Sequence, residues 1–277
     1  MQKKTVAIMG VGLIGGSLGK AFLRRGLFTK VLGIGRNPIK LEKALKARAI
    51  TEFSTDLKAL KSADLVVLCT PVVHIKKTFK KLSRHLKPGC IVTDVGSTKE
   101  EIVLAAGKLL PKNVFFVGSH PIAGSEKSGV DFAGAELFKG AVCVVTPVKK
   151  TNNKALAEVR NLWSRLGGKV IVMNPAEHDR VIARTSHVPH FLASALTLSV
   201  LKKDRNTISL AGKGFRDTTR IAAGNPEVWC EIAAANSKNI RKGLDELIKT
   251  LLRIKKEVGS NKLCRTLKKA SDLRERL

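Results

Sequence analysis

The sequence Gly10-Val11-Gly12-Leu13-Ile14-Gly15 follows directly on the apolar run Val6-Ala7-Ile8, near the beginning of the chain. After these glycines, the residues from Ser17 to Leu23 show the apolar periodicity of a helix. A short strand that leads into a Gly-x-Gly-x-x-Gly turn and then a helix is the fingerprint of a dinucleotide-binding β-α-β unit. We therefore expect the chain to begin with such a unit.

Each glycine of this turn has its own physical reason. Gly10 permits a tight turn, and Gly12 lets backbone N–H groups approach a pyrophosphate with no Cβ in the way. Gly15 permits close packing of the helix on the strand, and the helix N-terminus offers partial positive charge to the phosphates. Leu13 and Ile14 lie within the turn, so we predict that they also contact the cofactor.

Strand and helix patterns alternate through the first part of the chain. Further strands are predicted at 31–34, 64–69, 90–94, 114–117, 141–145 and 170–173, with helices at 38–49, 75–86, 99–110 and 153–166. Such alternation is typical of an α/β fold with a Rossmann-type doubly wound parallel sheet. Beyond Pro175 only helical patterns occur, at 176–201, 207–223, 226–254 and 262–276. We predict a dinucleotide-binding Rossmann domain over 1–173 and an all-helical domain over 174–277, which binds substrate and forms a homodimer.

The chain is strongly basic, with 51 Lys and Arg against 22 Asp and Glu and a formal net charge of +29. Basic surfaces attract phosphate backbones, so nucleic acid is one candidate partner. The basic residues are spread over many predicted helices, and an aromatic content of 4% without tyrosine leaves few stacking platforms for bases. We expect no specific nucleic-acid binding. A non-catalytic, NADP-binding protein associated with nucleic acid stays as the alternative from another class.

Cysteine usage and hydropathy indicate where the chain resides. Its five cysteines are scattered without Cys-x-x-Cys spacing, which is typical of buried thiols in a reducing compartment. No stretch approaches the roughly 18 apolar residues of a membrane helix. The first strand begins too near Met1 for a signal peptide. We expect a cytoplasmic protein that does not enter a membrane.

Ligands of open α/β sheets bind beyond the carboxyl ends of the strands. Four segments of this chain follow predicted strands in that way: 35–37, 70–72, 95–99 and 118–124. We expect all four to line one crevice. In the second of them, Thr70 and Pro71 are predicted to contact the cofactor.

The end of the second predicted strand carries information on the cofactor. That position commonly holds an acidic residue for the ribose 2′-OH, but here it is Gly35, followed by Arg36 and Asn37. A carboxylate would repel a 2′-phosphate, whereas Arg36 can pair with it through charge-assisted hydrogen bonds. NADP is therefore favoured over NAD. The alternative is that Arg36 stacks on adenine, which either cofactor permits.

His120 is the candidate general base, expected on a loop that follows the fifth predicted strand. An imidazole with a pKa of about 6.5 suits the acceptance of a proton from a substrate hydroxyl as hydride leaves. The structural alternative is a histidine that caps a turn. Ser97, on the neighbouring loop, is predicted to hydrogen-bond the imidazole or the hydroxyl, or else to cap the helix that starts near Lys99.

The helical region contributes the segments Ser186–His190 and Gly214–Ala222. Histidines three positions apart, such as His187 and His190, can ligate a metal. Nothing supplies clear carboxylate or thiolate partners and hydride transfer needs no metal, so we predict no metal site. These two histidines, with the arginines of the second segment, suit a small dicarboxylate.

Five motifs in this order resemble the prephenate/arogenate (cyclohexadienyl) dehydrogenases of tyrosine biosynthesis. They are GVGLIGGS (10–17), DVGSTK (94–99), GSHPIAGSE (118–126), SHVPH (186–190) and GFRDTTRIA (214–222). The first is shared by many dehydrogenases, but the ordered set of the other four is specific. The resemblance covers nearly the whole chain. It implies NAD(P)-dependent oxidative decarboxylation of prephenate to 4-hydroxyphenylpyruvate, or of arogenate to tyrosine.

The resemblance also implies roles for the catalytic residues. His120 matches the histidine that accepts the hydroxyl proton. Ser97 matches the serine that orients this histidine and the nicotinamide. His190 matches a second histidine of the active site.

Further positions match the substrate pocket of that family. Arg220 matches a ligand of a substrate carboxylate, and Trp229 matches an aromatic residue of the pocket. Glu126 matches a position near the substrate's side chain, where a carboxylate favours an amine and hence arogenate. We assign His187 to the same substrate-binding group.

One enzymatic alternative is a β-hydroxyacid dehydrogenase of the 6-phosphogluconate type, which also joins a Rossmann domain to a helical domain. It requires a catalytic lysine in the helical domain. It also leaves the segments 186–190 and 214–222 unexplained.

Overall fold

The computed structural model describes residues 4–124, 127–201 and 206–276. Its strands are β1 (Thr5–Met9), β2 (Lys30–Ile34), β3 (Glu52–Ser54), β4 (Leu65–Leu68), β5 (Ile91–Asp94), β6 (Phe115–Pro121), β7 (Val142–Thr146) and β8 (Lys169–Val172). Its helices are α1 (Leu13–Arg24), α2 (Pro38–Lys46), α3 (Val72–Leu82), α4 (Glu100–Leu109), α5 (Asn153–Arg165), α6 (Pro175–Ile182), α7 (Val188–Leu201), α8 (Asn206–Ser209), α9 (Lys213–Thr219), α10 (Pro226–Ala235), α11 (Ser237–Glu257) and α12 (Asn261–Arg274).

All eight strands belong to one sheet with the order β3-β2-β1-β4-β5-β6-β7-β8. The first six strands of that order are parallel, and their arrangement is that of a Rossmann fold. The direction of winding reverses between β1 and β4, which is where such folds bind dinucleotides. β7 runs antiparallel to β6, and β8 is parallel to β7. The predicted fold class is confirmed, although the local patterns did not indicate the reversed direction of β7.

The core has two layers because alternate residues of a strand face opposite sides of the sheet. On one side Val6 and Ile8 pack with Phe22 of α1 and with α5. On the other side Ala7 packs with Phe79 of α3 and with α4. Full burial of an aromatic side chain contributes about 1.5–3 kcal/mol, so these layers fix the helices against the sheet. The strand ends that face the crevice are thereby held in place.

The chain becomes helical after β8 because of a strong start signal. The Oδ1 atom of Asn174 accepts a hydrogen bond from the Glu177 N–H at 2.8 Å, and Pro175 occupies the first position of α6. No strand follows β8 in the part of the chain that the structure describes. Within those same ranges, no helix is both long and apolar enough to cross a bilayer.

Three of the helices predicted after β8 differ from the structure. The single helix expected over 207–223 is wrong, since α8 ends at Ser209, α9 begins only at Lys213, and a 3₁₀ segment, Arg220–Ala223, follows it. The single helix expected over 226–254 is wrong, since α10 ends at Ala235 and α11 begins at Ser237, with Asn236 between them in a non-helical conformation. The helix expected over 176–201 is interrupted by a π-helical segment, Ala183–His187, between α6 and α7. Such π segments are frequent at functional sites, and this one carries His187.

Candidate active site

The glycine turn has the geometry that its sequence predicts. Gly10 has φ +94°, and a Cβ built on it would lie 2.8 Å from the Cys69 carbonyl oxygen. A Cβ on Gly15 would lie 2.1 Å from the carbonyl oxygen of Gly10. A Cβ on Gly12, in contrast, would meet nothing within 4 Å. The protein's own packing therefore requires Gly10 and Gly15, whereas Gly12 faces open space where a ligand can approach.

The same edge of the sheet offers unsatisfied hydrogen-bonding groups. Helix α1 begins at Leu13 and Ile14, and no side chain caps its N-terminal N–H groups. Thr70 Oγ1 is buried and has no hydrogen-bond partner among the described residues. Pro71 follows it and leads into α3. A pyrophosphate at this helix N-terminus would satisfy the free donors, so the residues present fit a dinucleotide.

The residues predicted to select the cofactor lie at the end of β2. The Arg36 side chain is exposed, and the Asn37 Oδ1 atom accepts a hydrogen bond from the Lys40 N–H at 3.1 Å, which caps α2. A Cβ on Gly35 would be 3.3 Å from the side chain of Leu41. Asn37 therefore caps α2, and the exposed Arg36 side chain stands beside it at the end of β2.

His120 lies within β6, so the expectation of a loop position was wrong. The strand extends to Pro121 because Gly118–Pro121 pair in antiparallel register with Cys143–Thr146. His120 stands opposite Val144 in that register. The backbone hydrogen bonds of this antiparallel ladder therefore fix the position of His120, which a loop would not do.

The imidazole of His120 belongs to a chain of hydrogen bonds. His178 donates its Nδ1–H to the Oδ1 atom of Asp179 at 2.7 Å, since a carboxylate only accepts. His178 Nε2 lies 2.9 Å from His120 Nδ1. With both rings neutral, His178 Nε2 accepts and His120 donates its Nδ1–H. The lone pair of His120 is then on Nε2, where a base needs it.

Burial keeps the imidazole of His120 in its neutral form. Desolvation lowers the pKa of His120 well below its usual 6.5, and the nearby His178, Lys99 and His187 add electrostatic repulsion to the imidazolium. A neutral imidazole can accept a proton, whereas an imidazolium cannot. The surroundings of His120 therefore favour a general base at neutral pH.

Ser97 is not the cap of α4, because that role belongs to Asp179. The backbone N–H of Lys99 donates to Asp179 Oδ1 at 2.7 Å, and that of Glu100 donates to Asp179 Oδ2 at 3.0 Å. Helix α4 has no side-chain cap of its own. Ser97 lies half-buried on the loop between β5 and α4, at the carboxyl edge of the sheet. The alternative interpretation of Ser97 as a helix cap was wrong.

His187 is buried and joined to the same network through Asn236. The Nδ2 group of Asn236 lies 2.8 Å from the carbonyl oxygen of Asp179, to which it donates, and 3.3 Å from His187 Nδ1. If Asn236 also donates to His187, the proton of the neutral ring is on Nε2. That atom is buried without a partner among the described residues. Burial lowers the pKa of His187 to about 4, so the ring presents an N–H donor at neutral pH.

His190 and Trp229 form one wall of the helical region. Their rings stack with centroids 3.6 Å apart and an interplanar angle of 9°. His190 Nδ1 is buried without a hydrogen-bond partner in the described part of the chain. Burial lowers the pKa of His190, and a backbone hydrogen bond with Ile221 partly opposes that effect. The two residues thus present an aromatic surface with an unpartnered ring nitrogen.

Arg220 and Glu126 are the remaining predicted site residues. Arg220 is exposed and begins a short 3₁₀ segment, Arg220–Ala223, which packs against α7, the helix of His190. Glu126 lies outside the described residues. Among the described residues, no group of three His, Cys, Asp or Glu side chains is placed to hold a metal ion.

Comparison with known families identifies this arrangement. The profile described as prephenate dehydrogenase, nucleotide-binding domain, matches residues 18–172. The profile described as prephenate dehydrogenase, dimerization domain, matches residues 174–269. The chain belongs to the prephenate dehydrogenase family. The predicted family is therefore confirmed.

Individual relatives of this prephenate dehydrogenase family member agree with that assignment. Prephenate dehydrogenase of Bacillus subtilis (strain 168) is 34% identical over 285 residues, covering 100% of this chain and 76% of the relative. The crystal structure of prephenate dehydrogenase from A. aeolicus, in complex with hydroxyphenyl propionate and NAD+, matches with a TM-score of 0.93 at 35% identity, covering 100% of this chain and 99% of that one. Synechocystis arogenate dehydrogenase matches with a TM-score of 0.84 at 34% identity, covering 98% and 99%.

Sequence reasoning did not find three residues of the network in this family member: His178, Asp179 and Asn236. A signal for two of them was present. In α6, Pro175, His178, Asp179 and Ile182 occupy the positions of one buried helical stripe. A histidine and an aspartate on such a stripe require partners, because burying polar groups without hydrogen bonds is costly. The partners themselves lie on distant segments, so the sequence alone did not identify them.

Proposed function

We propose that this chain oxidises prephenate or arogenate with a nicotinamide dinucleotide, using His120 as the base. The observation that carries the proposal is the hydrogen-bond chain from Asp179 through His178 to His120, which places the lone pair of His120 on Nε2. His120 stands at the carboxyl edge of the sheet, the edge at which the glycine turn also lies.

The proposed chemistry follows from this geometry. A bound nicotinamide would supply the acceptor for the hydride that leaves the substrate carbon bearing the hydroxyl. His120 Nε2 takes the hydroxyl proton, and the new imidazolium donates to His178, which in turn donates to Asp179. Ser97 is proposed to hydrogen-bond the hydroxyl or the imidazole. Loss of the ring carboxylate as CO2 then leaves a phenolate, which takes the proton back from His120 Nε2. The aromatic ring that forms drives the reaction.

The helical region is proposed to hold the substrate. His187 offers a neutral Nε2–H donor, and Arg220 offers a guanidinium for a carboxylate. Trp229 and His190 provide the stacked wall against which a six-membered ring can pack. Glu126 is proposed to face the substrate's side chain. Prephenate and arogenate differ in that side chain, which carries a keto group in one and an amino group in the other.

The test is a coupled set of turnover measurements. The purified protein, given prephenate or arogenate with NADP+ or NAD+, should produce the reduced cofactor, followed by its absorbance. His120→Asn should lower kcat by about 10²–10⁴-fold, the usual contribution of a positioned base, and should leave the Kd of the dinucleotide nearly unchanged. Absence of turnover with both substrates would refute the proposed function. An unchanged kcat in His120→Asn would refute the role of His120.

We also propose NADP as the preferred cofactor over NAD, supported by the exposed Arg36 and the absence of a carboxylate at Gly35. Arg36→Glu should reduce kcat/KM for NADP+ by at least tenfold and affect NAD+ far less, since a carboxylate repels a 2′-phosphate. The matched control is Arg84→Glu, an exposed arginine that precedes β5 at the opposite edge of the sheet. Equal loss with both cofactors would argue for stacking on adenine.

We further propose a cytoplasmic homodimer, with residues 1–173 as the dinucleotide-binding domain and 174–277 as the helical domain. The support is α7, which is apolar along most of its length, although only Val188, His190 and Ala193 of its residues are buried. A helix that is hydrophobic all round requires cover from another surface. Leu198 of this helix is 65% exposed in the single chain. Sedimentation analysis should give a dimer, and Leu198→Asp should shift it toward monomer.

A further inference from the structure

A buried ion pair lies beneath the proposed site, and the mechanism above does not use it. Asp94 ends β5 and Lys99 precedes α4, and the side chains of both are 0% exposed. Their Oδ2 and Nζ atoms are in direct contact. A buried ion pair contributes little net stability, because desolvation of the two charges offsets their attraction. Its presence here calls for a reason other than stability.

The carboxylate of Asp94 joins the Ser97 loop to the His120 strand. Its Oδ2 atom accepts the Gly96 N–H at 2.9 Å, and its Oδ1 atom accepts the Ser119 N–H at 3.2 Å. Ser119 also donates its hydroxyl to the backbone oxygen of Asp94 at 2.6 Å. Gly96 and Ser119 are the immediate neighbours of Ser97 and His120. Asp94 therefore holds both of these residues through the backbone beside them.

Lys99 extends the same connection to the helical region. Its backbone N–H is bound by Asp179, the residue that also orients His178. Its aliphatic stem passes close to β6, since a Cβ on Gly118 would lie 3.6 Å from Lys99 Cδ. Its Nζ atom then reaches back to Asp94. The buried side chain of Lys99 thus extends from a backbone that Asp179 binds to the strand that carries His120.

We propose that the Asp94–Lys99 ion pair is a positioning device that fixes Ser97, His120 and His178 relative to one another. This inference rests on the proposed function, because it assigns a task to the pair in that reaction. Both charged atoms are fully buried and bonded to each other, so they act through their neighbours and not on the substrate. A misplacement of about 1 Å in such a constellation is enough to lower a rate by about 10²-fold.

The test replaces both charges without changing the size of the side chains. The double variant Asp94→Asn/Lys99→Met should lower kcat at least tenfold, with KM and the Kd of the dinucleotide within threefold of the parent. The matched control is Asp64→Asn/Lys87→Met, which removes the half-exposed ion pair at the amino ends of β4 and β5. That control should keep kcat within twofold. A kcat as high in the folded double variant as in the control would overturn the proposal.

A second variant covers the case in which the double variant does not fold. Ser119→Ala removes one hydroxyl and so cuts one link between Asp94 and β6, while the ion pair stays intact. It should lower kcat about threefold or more at unchanged KM. If the double variant is not recovered folded and Ser119→Ala has the parent kcat, the proposal is wrong.

A readout that needs no substrate separates this inference from the proposed function. In ¹⁵N-histidine spectra, the parent should show Nδ1 of His120 protonated and hydrogen-bonded and Nε2 unprotonated. The double variant should lose that pattern and the control should keep it. If the parent oxidises neither substrate, the proposed function fails, and the ring-nitrogen signals alone decide the positioning role. Unchanged signals in the folded double variant would then overturn it.

Discussion

His178 provides the sharpest test of the hydrogen-bond chain, because two substitutions at this position should lower kcat to different extents. His178→Leu keeps a side chain of similar bulk but removes the acceptor for the His120 Nδ1–H, which stands 2.9 Å away. His178→Gln can place an amide oxygen near the position of Nε2 and so accept the same proton. Packing is similar in both variants, whereas only the glutamine preserves the hydrogen bond.

The magnitude follows from the charge that develops on His120. A hydrogen bond to a charged group contributes about 1.5–3 kcal/mol, and here the charge exists only after the proton has moved. Its loss in His178→Leu should lower kcat about 10–150-fold. His178→Gln keeps a neutral acceptor and loses only the link to Asp179, so a decrease of about fivefold, or 1 kcal/mol, is expected.

The pH dependence of turnover must be recorded as well, because His178 acts on the pKa of His120 in two opposite ways. Proximity of His178 is one of the causes that lower this pKa, after desolvation itself. Its Nε2 atom also accepts the hydrogen bond of the imidazolium, which raises the pKa. The kcat values of the parent and the variants are therefore compared on the pH plateau of each protein, where His120 is neutral.

The assay is steady-state turnover across pH with His85→Leu as control, since His85 precedes β5 at the far edge of the sheet. Equal kcat values in His178→Leu and His178→Gln would show that packing, and not the hydrogen bond, matters at this position. Parent-like kcat in both variants would refute the chain from Asp179 to His120 altogether.

Three further predictions follow from the same geometry. Gly12→Ala should leave the Tm nearly unchanged, because its Cβ would touch nothing within 4 Å, but should weaken dinucleotide binding at least tenfold by filling the space of the pyrophosphate, as measured by calorimetry. In the parent, kcat/KM should stay flat as the pH falls to 6.5 and decline only below it, since burial holds the pKa of His120 well under that value. The free energy of unfolding should fall as the pH drops from 6.5 toward 4, because the unfolded chain binds a proton in this range whereas buried His187, with a pKa of about 4, does not. Denaturant titration should show a decrease of up to about 3 kcal/mol from this residue. That part of the pH dependence should be absent in His187→Gln.

The parts of the fold that could be predicted are those encoded in short stretches. The turn at Gly10 and Gly15 is dictated by close backbone contacts, which only glycine tolerates. The runs of β4 and β5 read as buried strands because both of their faces are covered. In contrast, β3 was not predicted, because it is an edge strand of three residues with no apolar run of its own.

The direction of β7 escaped prediction for a physical reason. A strand's local pattern records which faces are buried, not which way its neighbour runs. The antiparallel pairing of β7 with Gly118–Pro121 lengthens β6 and converts the expected loop of His120 into a strand. A prediction from periodicity ends that strand at Val117, where the apolar run stops. The prediction for His120 was therefore right about the edge of the sheet at which this residue lies, and wrong about its secondary structure.

The network around His120 could not be predicted because its contacts are long-range. His120 and His178 are 58 positions apart, and Asn236 reaches Asp179 across 57. No spacing rule links such residues. The motifs pointed to His120, His187 and His190 through their surroundings in the sequence, but they did not say which ring nitrogens carry protons. That information comes only from the partners.

The tautomers of these histidines follow from the way the two parts of the chain meet. Asp179 lies on α6, yet its oxygens cap α4 of the sheet region and accept the proton of His178. The same contact that docks the first helix after β8 onto α4 therefore also places the lone pair of His120 on Nε2. Through Asn236 it orients His187 in the opposite sense, with its proton on Nε2. His120 thus presents a hydrogen-bond acceptor and His187 presents a donor, because the carboxylate of Asp179 and the amide of Asn236 determine which ring nitrogen of each histidine carries the proton. A shift of α6 along α4 would disturb both rings together, so the docking of these two helices is as much a part of the site as the histidines themselves.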